Sequence, residues 1–157
     1  MREIKFRGKR QKNGEWIYGS YISRGHHNYL YDLIIDDKNR KKAVMMKTVG
    51  QYTGLKDKNG KGIYEGDIVK SKISFEGKGI PHMGEVVYDK ELASFATKNL
   101  SGNTLICRQQ LNTFEVVGNK YENPDLLDIN LEEGKKWGKL NLEVKQNMVL
   151  GFMDIIF

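Results

Sequence analysis

The residues best equipped for chemistry crowd into the block TVGQYTGLKDKNGKGIYEGDIV at 48–69. Gly54, Gly60 and Lys61 suggest a phosphate-cradling loop, because glycine lets backbone amides approach an anion and lysine neutralises it. The spacing excludes that reading. A phosphate loop has four residues between its glycines and a Ser or Thr after the Lys; here five intervene and Gly62 follows Lys61. Gly60, Gly62 and Gly66 are one residue out of step with a dinucleotide fingerprint, and no strand–helix–strand pattern surrounds them. Glu65 and Asp67 stand two apart, so on a strand their carboxylates share a face, where a pair can move protons or hold a divalent cation. Gly66 between them instead marks a turn or bulge, in which Asp bonds local backbone amides. The block therefore reads as turn chemistry.

The other reactive types give no catalytic or metal constellation. His26 and His27 are neighbours, which a strand points to opposite faces, and neither they nor His82 has a spaced Cys or His partner. Cys107, the single cysteine, sits in an apolar stretch and reads as a small hydrophobe without an adjacent base. No catalytic residue, metal ligand or cofactor is assigned, and an enzyme is not expected. The strongest binding signal is basic: Lys5, Arg7, Lys9, Arg10 and Lys12 crowd the start, opposed only by Glu3. Lys5, Arg7 and Lys9 alternate along one strand face expected to be wet, and Tyr18, Tyr21, Tyr29 and Tyr31 follow as candidate stacking surfaces for a nucleic-acid backbone and its bases.

Elements able to position these groups are mostly strands. Period-two alternation recurs and long helical periodicity does not. Ile4, Phe6 and Gly8 oppose the basic face; Asn13-Gly14 supplies a hairpin turn; 16–22 is an aromatic-rich strand. Tyr29, Tyr31, Leu33 and Ile35 line one face of the next strand, and 36–42 (DDKNRKK) is a charged loop. Asn59-Gly60 is a second turn before strand material at 63–74, and 75–81 (FEGKGIP) reads as a flexible loop. A hairpin is expected from 85–88 and 92–97, two further strands at 104–107 and 114–118, and a single helical turn opened by Asn123-Pro124-Asp125. Many short strands with regular turns favour a barrel or a sandwich over a parallel sheet.

Residues 128–157 stand apart. They hold four Lys and five Asp or Glu, a net of −1, so the rest of the chain carries +7 against an overall +6. The alternation at 139–145 and the apolar run MVLGFMDIIF predict a C-terminal β hairpin, with Leu150, Phe152, Ile155, Ile156 and Phe157 as the interface of a homo-oligomer. The run is too short to span a bilayer, and the charged start MREIKFRGKR does not read as a secretory signal. No membrane association and a cytoplasmic location are expected.

The start MREIKFRGK, the NGEWIYG turn, the block at 48–69 and FEVVGNKYENPDLL together resemble the YopX family of bacteriophage and prophage proteins, in the family's order over residues 1 to about 127. The resemblance implies a phage or prophage product of Gram-positive type, working in the bacterial cytoplasm, with a mainly β fold and a small SH3-like barrel. It carries over no catalytic residues. The expected organisation is an N-terminal β-rich subdomain at 1–48, an SH3-like barrel module at 49–127 and an extension at 128–157. Such barrels serve as binding modules, so the expected function is an adaptor acting by contact with a host or phage protein. The alternative is an accessory nucleic-acid-binding protein using the basic strand.

Overall fold

The computed structural model describes residues 3–24, 31–75, 78–99, 102–105 and 114–127. Within them the protein is mainly β, built as two antiparallel sheets. The first contains β1 (Phe6–Lys9), β2 (Trp16–Ile22), β3 (Asp32–Ile35), β4 (Lys41–Val44), β5 (Gly50–Lys56) and β6 (Gly62–Tyr64), in the order β4-β3-β2-β1-β5-β6. The second contains β7 (Asp67–Phe75), β8 (Lys78–Asp89), β9 (Ser94–Asn99), β10 (Gly102–Leu105) and β11 (Glu115–Asn119), in the order β10-β9-β8-β7-β11. The chain changes sheets at Glu65-Gly66. Strands β10 and β11 do not pair with each other, so among the described residues the second sheet is open rather than a closed barrel.

The first sheet curls back on itself. Beyond the β1–β2 turn, where Gly14 takes φ of 72°, the Gln11 amide donates to Ala43 O at 3.0 Å and the Met45 amide to Lys9 O at 2.9 Å. An isolated bridge between Arg10 and Val44 thus returns β4 to the end of β1. The hollow of the curl holds the fully buried Ile34 and Val44, and Phe6 lies 5.2 Å from the Tyr21 ring. Position 8 is crowded, because an added Cβ would stand 3.1 Å from Val44 Cβ and 3.3 Å from Ile34 Cδ1, and either neighbour would have to give way slightly.

Two expectations are corrected here. The face of β3 carrying Leu33 and Ile35 is only half-buried, and Tyr31 just before it likewise, whereas Asp32 and Ile34 are buried; Tyr29 lies outside the described residues. The curl selects the Asp32 face, and Asp32 is satisfied there by the Tyr21 hydroxyl at 2.6 Å and the Arg24 amide at 2.9 Å. In the segment 75–81, expected as a loop, the described residues are strand: Phe75 ends β7 and residues 78–81 open β8. Strands β7 and β8 stay paired out to Phe75 with Lys78, through Ile73 with Ile80 and Lys72 with Pro81. Pro81 is tolerated because β8 pairs with β9 only from Glu85 onward, so an open edge lies beside it.

The central core draws on both sheets: Ile63 of β6, Val69 of β7, Val86 of β8 and Phe114 ahead of β11, with Leu55 and Val116 packed against them. Each such side chain contributes about 1.5–3 kcal/mol on burial. The expected helical turn is present, with the Leu126 amide bonded to Asn123 O and the Leu127 amide to Pro124 O, and Leu126 sits over Gly118.

Gly19 of β2 has φ of 152°, and a Cβ there would collide with the carbonyl oxygen of Ile35. Gly19→Ala is expected to cost about 3 kcal/mol or more by urea unfolding. Gly60→Ala also needs positive φ (81°) but meets open space, so it should cost only about 1 kcal/mol. Equal losses at both positions would contradict the close β2–β3 approach.

Candidate functional site

Strand β1 places Arg7 on the face opposite Phe6 and Gly8. That face is not wet: Arg7 is 5% exposed. The second sheet covers it, because β7 begins directly against it. Arg7 Nη1 meets Asp67 Oδ1 at 2.6 Å, Nη2 donates to Glu65 O at 3.2 Å, and the guanidinium lies 4.5 Å from the Trp16 ring centre and 5.1 Å from that of Tyr64. Nε is the one guanidinium nitrogen left without a partner. Asp67 Oδ2 accepts from the Tyr64 amide at 2.8 Å. Burial pushes the Asp67 carboxyl above its ordinary range, and the Arg7 cation offsets only part of this. Such a pair fixes geometry more than it adds stability.

The cations on either side are also engaged. Lys5 pairs with Glu3 at 3.0 Å and lies 4.5 Å from the Tyr52 ring centre. Lys9 pairs with Glu122 at 3.0 Å, and Glu122 also accepts from Trp16 Nε1 at 3.1 Å and Asn119 Nδ2 at 2.8 Å. Asn119, Lys9 and Trp16 together hold the Glu122 carboxyl down to about 2. Cations and rings of the first sheet (Lys5, Arg7, Lys9, Trp16, Tyr52, Tyr64) thereby form one interacting layer, and Arg7 ties it to β7 of the second sheet. Arg10 is 3.7 Å from Glu15, and Lys12 is exposed on the turn. Of the five basic residues singled out in sequence, Arg10 and Lys12 thus lie at the strand-return seam, while the other three are built into the fold.

The remaining candidates are structural where they are described. Glu65 Oε2 accepts from the Gln51 amide at 2.8 Å, so Glu65 and Asp67 serve different partners and form no acid–base pair. Asp57 collects the amides of Asn59, Lys61 and Val116; burial acts to raise its carboxyl, but these bonds outweigh it and hold it low. His82 is buried, with Nε2 2.7 Å from Thr97 Oγ1 and Nδ1 3.3 Å from Asn99 Nδ2, and burial lowers its pKa. Among the described residues no three His, Cys, Asp or Glu gather as metal ligands, and no helix is long and apolar enough to cross a membrane. His26, His27, Cys107 and the tail residues Leu150, Phe152, Ile155, Ile156 and Phe157 lie outside the described residues.

Two open features remain. The first is a groove of about 660 Å³ beside β1 and β2, lined in part by Ile4, Lys5, Trp16, Tyr18, Ile35 and Arg40. Ile4 is 62% and Tyr18 47% exposed, and the Tyr18 ring rests edge-on against Tyr64 at 5.5 Å. Of its flanking charges, Glu3 pairs with Lys5 and Asp36 with Arg40, while Asp37 adds a further negative charge. The second is a smaller groove along the strand-return seam, bordered by Arg10, Gln11, Lys12, Lys41, Lys42 and Ala43. Sequence reasoning missed Lys41 and Lys42 as partners of Arg10 and Lys12, since nothing local signals that β4 returns to β1.

These features define an all-β protein whose sheets are tied by a buried ion pair and whose described residues form two grooves on the first sheet. Residues 5–128 match the family described as YopX protein, and the chain belongs to that family. Among solved structures it is similar to one described as the crystal structure of protein EF1440 from Enterococcus faecalis. The two are 23% identical, with a TM-score of 0.54 over 81% of this chain and 99% of that one; the likeness shows a shared fold. No curated protein matches the chain.

Two outcomes test the electrostatics. Arg7→Met leaves the Asp67 carboxylate buried without its cation and should cost about 3–5 kcal/mol by denaturant unfolding. The double variant with Asp67→Asn keeps an acceptor for the Tyr64 amide and should be more stable than Arg7→Met alone; a purely additive loss would contradict the pairing. Glu122 has a folded pKa (about 2) below its ordinary 4.5, so its stabilisation is complete above about 4.5 and is lost as the pH falls toward 2. Its side chain is 41% exposed, which limits the effect to about 1 kcal/mol. Glu122→Gln should remove that increment at pH 7 and flatten the acid limb of the stability curve.

Proposed function

We propose that this protein is a phage- or prophage-encoded, non-enzymatic binding protein of the bacterial cytoplasm, acting as an adaptor through protein–protein contact. The observation that carries the reading is the Ile4–Tyr18 groove. Two exposed apolar side chains, Ile4 and Tyr18, line it, and its charges are two ion pairs plus the carboxylate of Asp37, which suits an apolar peptide segment of a partner protein better than a polyanion. Tyr18 is held by Tyr64, so little side-chain freedom is lost on binding. The family match and the shared all-β fold support a binding module, whose function lies on its surface. Self-association through residues 128–157 completes the proposal.

The test is capture from host cells producing the phage, with identification of bound proteins by mass spectrometry. An Ile4→Asp/Tyr18→Ser variant, checked for an unchanged thermal midpoint, should lose the partner that the natural sequence retains. Retention of the same partner by that variant would refute the groove. Deletion of 128–157 should lower the mass in solution measured by light scattering; an unchanged mass would refute tail-mediated assembly.

A further inference from the structure

We infer that the seam where β4 returns to β1 is a second binding site, specific for the phosphodiester backbone of a nucleic acid. Four cations from two separate segments meet there: Arg10 and Lys12 from the β1–β2 turn, and Lys41 and Lys42 from β4. They border a groove of about 300 Å³ to which no carboxylate contributes. Among the described residues, Lys12, Lys41 and Lys42 enter no ion pair, and Arg10 is held only loosely by Glu15, at 3.7 Å. This distinguishes them from Lys5, Arg7 and Lys9, whose charges are consumed by Glu3, Asp67 and Glu122.

The seam is also rigid. The Gln11–Ala43 and Lys9–Met45 backbone bonds fix the two segments on either side of the bridge, so the backbone that carries the cations needs no reordering on binding. Like charges so gathered repel, and a bound polyanion relieves that repulsion. No aromatic side chain borders the groove, so it offers no platform on which bases would stack. Contact with the backbone alone, without sequence preference, is the chemistry it fits. This site is distinct from the Ile4–Tyr18 groove, whose lining includes three carboxylates, and it uses only part of the basic run at the start of the chain.

The experiment is fluorescence anisotropy of the full chain with a labelled DNA duplex and with a labelled single strand. The natural sequence should bind at low salt, with log K falling against log salt at a slope of about −3, as expected for release of three or four counterions. Lys12→Gln/Lys41→Gln/Lys42→Gln should weaken binding at least about tenfold and flatten the slope toward about −1. A matched triple at the exposed Lys56, Lys90 and Lys98, none bordering the seam, removes the same net charge and should weaken binding less than about twofold. Glu15→Gln frees Arg10 and should tighten binding. Preference for the duplex or for the single strand identifies which backbone spacing the seam accepts, and either supports the site. No binding at low salt, or equal losses in the two triple variants, would overturn it.

Discussion

The contact between Arg7 and Asp67 is the constraint on which the architecture turns. It joins a central strand of one sheet to the first strand residue of the other, in a place from which water is excluded. Burying two charges is costly, and the raised carboxyl of Asp67 records that cost. In return, only one arrangement of the sheets brings cation and anion together with the Tyr64 amide, the Glu65 carbonyl and the faces of Trp16 and Tyr64. Hydrophobic burial between two sheets tolerates sliding; a buried, directional ion pair does not.

The block at 48–69 supplies what this contact needs. Its first part is β5, which lies beside β1; its Asp57 turn is tied to β11 through Val116; its Glu65-Gly66 turn redirects the chain so that Asp67 emerges facing Arg7. Gly66 takes φ of 79° there, its amide bonds Val86 O and its carbonyl accepts from Lys120. The glycines and carboxylates that resemble a nucleotide loop are thus the joint between sheets, and each acidic side chain is occupied by backbone amides or by a cation.

Much of the fold was legible because its signals are local. Trp16–Ile22 is a strand because its residues alternate and resist helix; Asn59-Gly60 turns because Gly60 tolerates φ of 81°. What was illegible depends on what covers a face. Alternation in β1 separates Arg7 from Phe6 but says nothing of the second sheet that buries Arg7, so three cations looked available for a ligand when they were already paired. In β3 the apolar Leu33 and Ile35 concealed the fact that the curl would bury Asp32 and Ile34. At 75–81 glycines and a proline suggested a loop, yet the neighbouring edge of β8 is open and accepts them. For the sites, Arg10 and Lys12 were visible in the sequence, but their union with Lys41 and Lys42 depends on a non-local strand return, and the Ile4–Tyr18 groove exists only once β1 and β2 are paired.

The position of β1 also bears on how the molecule is made. β1 precedes all its partners in the chain, yet it lies in the interior of the first sheet, between β2 and β5. β2 reaches it at once through a short turn. Its other edge stays open until β5 is synthesised, and the charge of Arg7 stays unanswered until Asp67 follows. The earliest strand therefore waits for β5 and Asp67, so the nascent chain carries an unpaired edge and an unmatched cation until the block at 48–69 is made. Both are closed within one short stretch, by the same block that joins the two sheets.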